Sequence, residues 1–119
     1  AQMDDTVMHN MYEITKIMQE ILNIVKYFFH IEFQEDNVYY YRFITHLKFF
    51  AKRLVDHNNY QDDENDDLLE VIRQKYAKSY QCVEKITQFI SKKYGYVMSR
   101  EEQLYLTIHI ARAIHKTNS

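Results

Sequence analysis

The sequence predicts an all-α fold, a compact five-helix bundle, from three observations. The chain has 119 residues with one glycine and no proline. That removes the residues that β-sandwiches, hairpin meanders and phosphate-cradling loops use for positive φ and rigid turns. Apolar residues recur at alternating spacings of three and four, the period of one helix face. Hydrophobic residues make up 46% and aromatics 15% of the chain, which suffices for one core in a single domain, 1–119.

The first helix is expected from about Thr6 to Ile31, with Val7, Met11, Ile14, Met18, Ile21, Val25 and Phe28 as its apolar stripe. Asp4, Asp5 and Thr6 supply the oxygen acceptors and negative charge that favour a helix start. The polar segment 32–37 ends the pattern, and Phe33 within it is placed to tuck back against the core. A second helix, about Val38 to Val55, carries the stripe Phe43, Leu47, Phe50 and Leu54. The hydrophilic run 56–65 has no apolar period and reads as a solvated loop. Asn65 or Asp66 then caps a short third helix to about Tyr76, with Leu68, Leu69, Val71 and Ile72. A fourth, about Ser79 to Tyr94, presents Cys82, Val83, Ile86, Phe89 and Ile90. Gly95 follows it where a left-handed terminator is wanted.

Ser99-Arg100-Glu101-Glu102 is a capping box that opens a fifth helix reaching about His115. At about 100° per residue, Leu104, Ile108 and Ala111 cover one side while Leu106, Ile110 and Ala113 cover nearly the opposite one. A helix apolar on two sides is sandwiched between neighbours. Between those sides runs a polar strip of Glu102, Tyr105, His109, Arg112 and Lys116.

Several function classes are disfavoured. Lys and Arg number 15 against 17 Asp and Glu, a net charge of -2, so no basic face is available to displace counterions from RNA. The lone Cys82 has no internal partner and no electropositive neighbour, and it reads as a small buried hydrophobe in a reducing, cytoplasmic setting. No stretch approaches the roughly 18 unbroken apolar residues of a membrane span. No zinc-binding spacing, Gly-rich phosphate loop or nucleophile elbow is present, so neither a metal nor a cofactor is expected, and an enzyme is disfavoured.

Two of the six histidines stand out. His46 falls at the edge of the second helix's stripe, between core and surface, with Arg42, Phe49 and Arg53 on the same flank. His109 has Tyr105 at i−4, Arg112 at i+3 and Lys116 at i+7. A neutral imidazole is a competent nucleophile, and adjacent cations lower its pKa and can hold an incoming phosphate. The alternative is that each is a packing residue with one satisfied nitrogen, in a helical dimerisation or docking module. Tyr39, Tyr40, Tyr41 and Phe43 read as core and interface mass.

Two segments carry a family resemblance. The run 40–54, Tyr40-Tyr41-Arg42-Phe43-Ile44-Thr45-His46-Leu47-Lys48-Phe49-Phe50-Ala51-Lys52-Arg53-Leu54, resembles the first-histidine segment of a PTS-regulation domain (PRD). The run 102–112, centred on Thr107-Ile108-His109-Ile110, resembles the second. The opening helix, from Ile14 to Leu22, is also similar to the start of that domain. Such domains occur in tandem in transcriptional antiterminators of the BglG/LicT type. The resemblance implies histidine phosphorylation on His46 and His109, with Arg53, Arg112 and Tyr105 forming their surroundings. It implies HPr, the phosphocarrier of the sugar phosphotransferase system, as a partner, together with its sugar-specific enzyme II. It also implies a homodimer responsive to phosphate, and RNA binding only through a separate upstream domain. Thr45 before His46 is more similar to the second, C-terminal copy of the domain, usually the target of HPr.

Overall fold

A computed structural model describes residues 5–57 and 66–117 of the chain. Within them lie five helices and no strand: α1 (Asp5–Phe29), α2 (Val38–Val55), α3 (Asp66–Lys75), α4 (Ala77–Tyr94) and α5 (Arg100–Thr117). The all-α expectation holds, and the helix order matches the reading from periodicity. The proposed cap Asn65 and most of the polar loop fall outside the described residues.

α5 is the central element, packed against α2, α3 and α4. Leu104 on one side and Leu106, Ile110 and Ala113 on the other are all buried, as expected of a helix sandwiched between neighbours. The buried Thr107 satisfies its hydroxyl by donating to the Gln103 carbonyl one turn back. α1 closes the bundle against α2 and α4. Its Glu20 accepts hydrogen bonds from Lys93 and Tyr94 at the end of α4. The α2 stripe of Phe43, Leu47, Phe50 and Leu54 is entirely buried, and it meets Cys82, Val83, Ile86 and Ile90 of α4 in one cluster. Burial pushes the Cys82 thiol up to about 12, so it behaves as the small hydrophobe expected.

Local chemistry sets the helix boundaries, at Gly95 as expected and at Asn37 without a sequence signal having singled it out. Asn37 caps α2 by accepting from the Tyr39 N–H at 2.8 Å. Gly95 ends α4 at φ 65°, in the left-handed region that a side chain disfavours. Phe33 does turn back, stacking on Tyr40 with ring centroids 4.8 Å apart.

Three expectations are corrected. The α1 stripe is buried only in its C-terminal half: Val7 and Met11 are exposed, while Ile17, outside the predicted stripe, is fully buried. A helix of 25 residues is about 37 Å long, and its first turns run past the packed region. In α3, Leu68 and Val71 are exposed, because this short helix meets the bundle along one narrow edge. α4 begins at Ala77 rather than Ser79, immediately after a single non-helical residue, Tyr76.

Candidate functional site

His46 immediately precedes the buried Leu47 on α2, and His109 immediately precedes the buried Ile110 on α5. One residue is about 100° of helix rotation, so each imidazole leaves its helix beside the packed stripe rather than within it. His46 is exposed and His109 half-buried, so His46 stands further from the core than its stripe-edge position suggested. Packing of α2 on α5 brings the two together across 63 residues of chain. Their rings stack with centroids 4.0 Å apart and planes 23° apart. Tyr105, one turn before His109, lies nearly parallel to His46 at 6.3 Å.

This placement controls protonation. Burial, followed by the neighbouring His46, Arg112 and Arg42, pushes His109 down to about 4. His109 is therefore neutral at pH 7, with a ring nitrogen lone pair available to an electrophile. Two stacked imidazoles also resist being charged together, because like charges at this separation repel strongly.

A cavity of about 300 Å³ opens beside the pair, lined among others by His46, Phe49, Arg53, Glu102 and Tyr105. The Arg53 Nε donates to Glu102 Oε2 at 3.1 Å, from a side chain 31% exposed to one only 2% exposed. Tyr96 donates its hydroxyl to the same oxygen at 2.8 Å. Glu102 Oε1 accepts from the Ser99 N–H at 2.8 Å, and Ser99 Oγ accepts from the Glu102 N–H at 3.0 Å. The capping box is thus formed, and its carboxylate also receives an arginine from the neighbouring helix.

Of the residues singled out in the sequence, His46, His109 and Tyr105 converge, and Arg53 lines the cavity that His46 borders. Arg53 is already hydrogen-bonded to a carboxylate, so it is not simply an idle phosphate ligand. Arg112 acts on His109 through its charge, from an exposed position. The Lys116 side chain lies outside the described residues. Sequence reasoning missed the wider roles of Glu102 and Tyr96. Capping and the polar strip of α5 account for Glu102 without its partners Arg53 and Tyr96, and Tyr96 sits in a non-helical segment with no periodicity to mark it. Arg42 was placed on the His46 flank, yet its charge acts on His109. Among the described residues no group of three or more His, Cys, Asp or Glu side chains could hold a metal ion. No helix among them is long and apolar enough to cross a membrane.

A family model described as PRD domain matches residues 19–113, which include both histidines. The chain belongs to the PRD family. This PRD is 49% identical over 107 residues to the transcription antiterminator LicT of Bacillus subtilis, covering 90% of this chain and 38% of that protein. It is 44% identical over 109 residues to a beta-glucoside operon antiterminator of Dickeya chrysanthemi, covering 91% and 38%. Protein GlcT of Staphylococcus aureus is 28% identical over 107 residues. The chain spans less than two fifths of the length of these relatives. The family assignment and the bundle agree with the resemblance carried by the two histidine segments, and the first two of these relatives are antiterminators.

Proposed function

We propose that this chain is a single regulatory domain, 1–119, of a transcription antiterminator, reversibly phosphorylated on His46 and His109. The observation that carries this reading is the stacked pair itself: two imidazoles 4.0 Å apart at a surface cavity, one exposed and one held neutral. A phosphocarrier such as HPr, or a sugar-specific enzyme II of the phosphotransferase system, would present the phosphoryl group. A neutral ring nitrogen attacks phosphorus, the donor's bond to phosphorus breaks, and the acceptor ring is left carrying the group. The protein contributes position and charge; the donor supplies the reactive bond.

The new group brings close to two negative charges and three acceptor oxygens, by analogy with phosphoserine. On either histidine it faces the other, whose protonation it would then favour. A second phosphoryl group would meet the first across a gap of a few ångströms. The pair is therefore built to take one phosphate readily and a second reluctantly. Through dimerisation, phosphorylation would set the activity of an RNA-binding part of the longer protein.

Incubation with phosphoenolpyruvate and the phosphotransferase proteins, read by intact mass under alkaline conditions, tests this. A singly phosphorylated species should dominate. His46→Ala and His109→Ala should each reduce incorporation, and the double variant should abolish it with helicity intact. Normal incorporation in the double variant would remove the assignment. A complete lack of phosphorylation would favour a docking module with structural histidines, a reading supported by the exposed Met8, Met11 and Tyr12 of α1.

A further inference from the structure

A second, larger cleft of about 600 Å³ lies where the C-terminal turns of α5 pass the junction of α3 and α4. Its size is within the ~300–1,000 Å³ of small-molecule sites. Lys78, Arg112 and His115 border it, and among the described residues no carboxylate does. None of the three enters an ion pair among the described residues. Phe29 and Tyr76 add aromatic wall.

Ser79 points independently to a ligand. The residue is only 6% exposed and lines the cleft, yet its hydroxyl has no hydrogen-bond partner among the described residues. Among the described residues no unpartnered side-chain oxygen or nitrogen is sealed from solvent, so the Ser79 hydroxyl can be reached from outside and is available to a group seated in the cleft that the residue lines. The N-terminus of α4, at the same place, lacks a side-chain cap, and its first-turn N–H groups have no partners within the helix.

We propose that this cleft binds a small organic phosphomonoester, its phosphate held by Lys78, Ser79 and Arg112 and its body resting on Phe29 and Tyr76. Donors from two helices suit the three terminal oxygens of a monoester better than the two of a carboxylate. The aromatic walls give the body apolar area to bury, which inorganic phosphate lacks. The site is separate from the histidine cavity and does not depend on histidine phosphorylation. The two are nonetheless linked through Arg112, which borders the cleft and whose charge lowers the pKa of His109 one turn away.

Titration of the isotope-labelled 119-residue chain with phenyl phosphate, followed by amide resonances, tests the proposal. Saturable shifts should centre on Lys78, Ser79 and Arg112. Lys78→Gln and Arg112→Gln, both at exposed side chains, should each weaken binding about tenfold, the loss of one charge-assisted contact. Ser79→Ala should weaken it by a smaller factor. Benzoate and inorganic phosphate should both bind more weakly than phenyl phosphate. Non-saturating shifts, shifts centred on His46 and His109, or unchanged affinity in the two cation variants with unaltered helicity would overturn the site. Equal affinity for benzoate would overturn the phosphomonoester assignment.

Discussion

Arg53 on α2 donates to the buried carboxylate of Glu102 on α5, bridging the same two helices that carry His46 and His109. The bridge borders the cavity beside His46. Glu102 thus serves three structures at once: the start of α5, the packing of α2 on α5, and the tyrosine that follows Gly95. A phosphoryl group on His46 would offer Arg53 a second anion, so the bridge and the modification compete for one guanidinium.

Glu102→Ala should lower stability by about 2–4 kcal/mol, the combined loss of a helix cap and a buried charged acceptor for Tyr96 and Arg53. Glu102→Gln keeps the shape and one acceptor oxygen and should lose less. Urea denaturation of both variants checks the order. A Glu102→Ala loss below that of an exposed control such as Glu84→Ala would show that the bridge contributes nothing.

Much of this architecture is legible in the sequence, for reasons visible in particular residues. The α2 stripe and Gly95 are local signals: a 3.6-residue period and a backbone angle that glycine adopts easily. Glu102 was legible only in its local role, because capping pairs it with Ser99 three residues away, while Arg53 is 49 residues away and Tyr96 lies outside any periodic segment. The distance between His46 and His109 is likewise a property of helix packing that no spacing along the chain encodes. Val7 and Met11 misled because periodicity reports that a face is apolar and cannot say where its partner stops.

Acid should destabilise the fold through His109. Its folded-state pKa of about 4 lies below the ordinary 6.5, so between those values the unfolded chain binds more protons than the native one. The associated stability is present above pH 6.5 and is lost as pH falls towards 4. Allowing for partial solvent contact, the loss is about 1–2 kcal/mol. Denaturation midpoints measured from pH 4.5 to 7.5 should slope in the parent chain. The difference between parent and His109→Gln should account for that part of the slope, and parallel profiles would show that His109 titrates normally.

Gly95→Ala should be mildly destabilising, and for one reason only. The residue has φ 65°, and a Cβ added there would meet no atom within 4 Å. No steric clash therefore adds to the left-handed backbone cost of about 1–2 kcal/mol. Gly95→Asn, which tolerates that conformation better, should lose less. Thermal melts of the two variants give the comparison; an equal and large loss in both would mean that the α4–α5 connection cannot accept a side chain at all.

Phosphorylation should shift the chain towards a dimer. His46 is exposed, and its cavity is bordered by two further exposed apolar rings, Phe49 at 54% and Tyr105 at 47%. Association over this face would remove that apolar surface from water. A phosphoryl group placed there introduces repulsion between like-modified copies, but it also draws on the cations around it, Arg53 beside the cavity and Arg42 and Arg112 acting on His109. Guanidiniums reaching across from a second copy can bind the phosphate oxygens bidentately, which favours association over simple repulsion. Packed helical interfaces tend to have discrete arrangements, so such a local change can reset the pairing of subunits. Sedimentation across a concentration series, for the unmodified chain, the phosphoprotein, and the His46→Asp and His109→Asp variants, measures the effect. The phosphoprotein should have the largest association constant, with the aspartate variants between it and the unmodified chain. Equal constants in all four, with scattering showing no change in dimer shape, would leave the stacked histidines without a role in assembly.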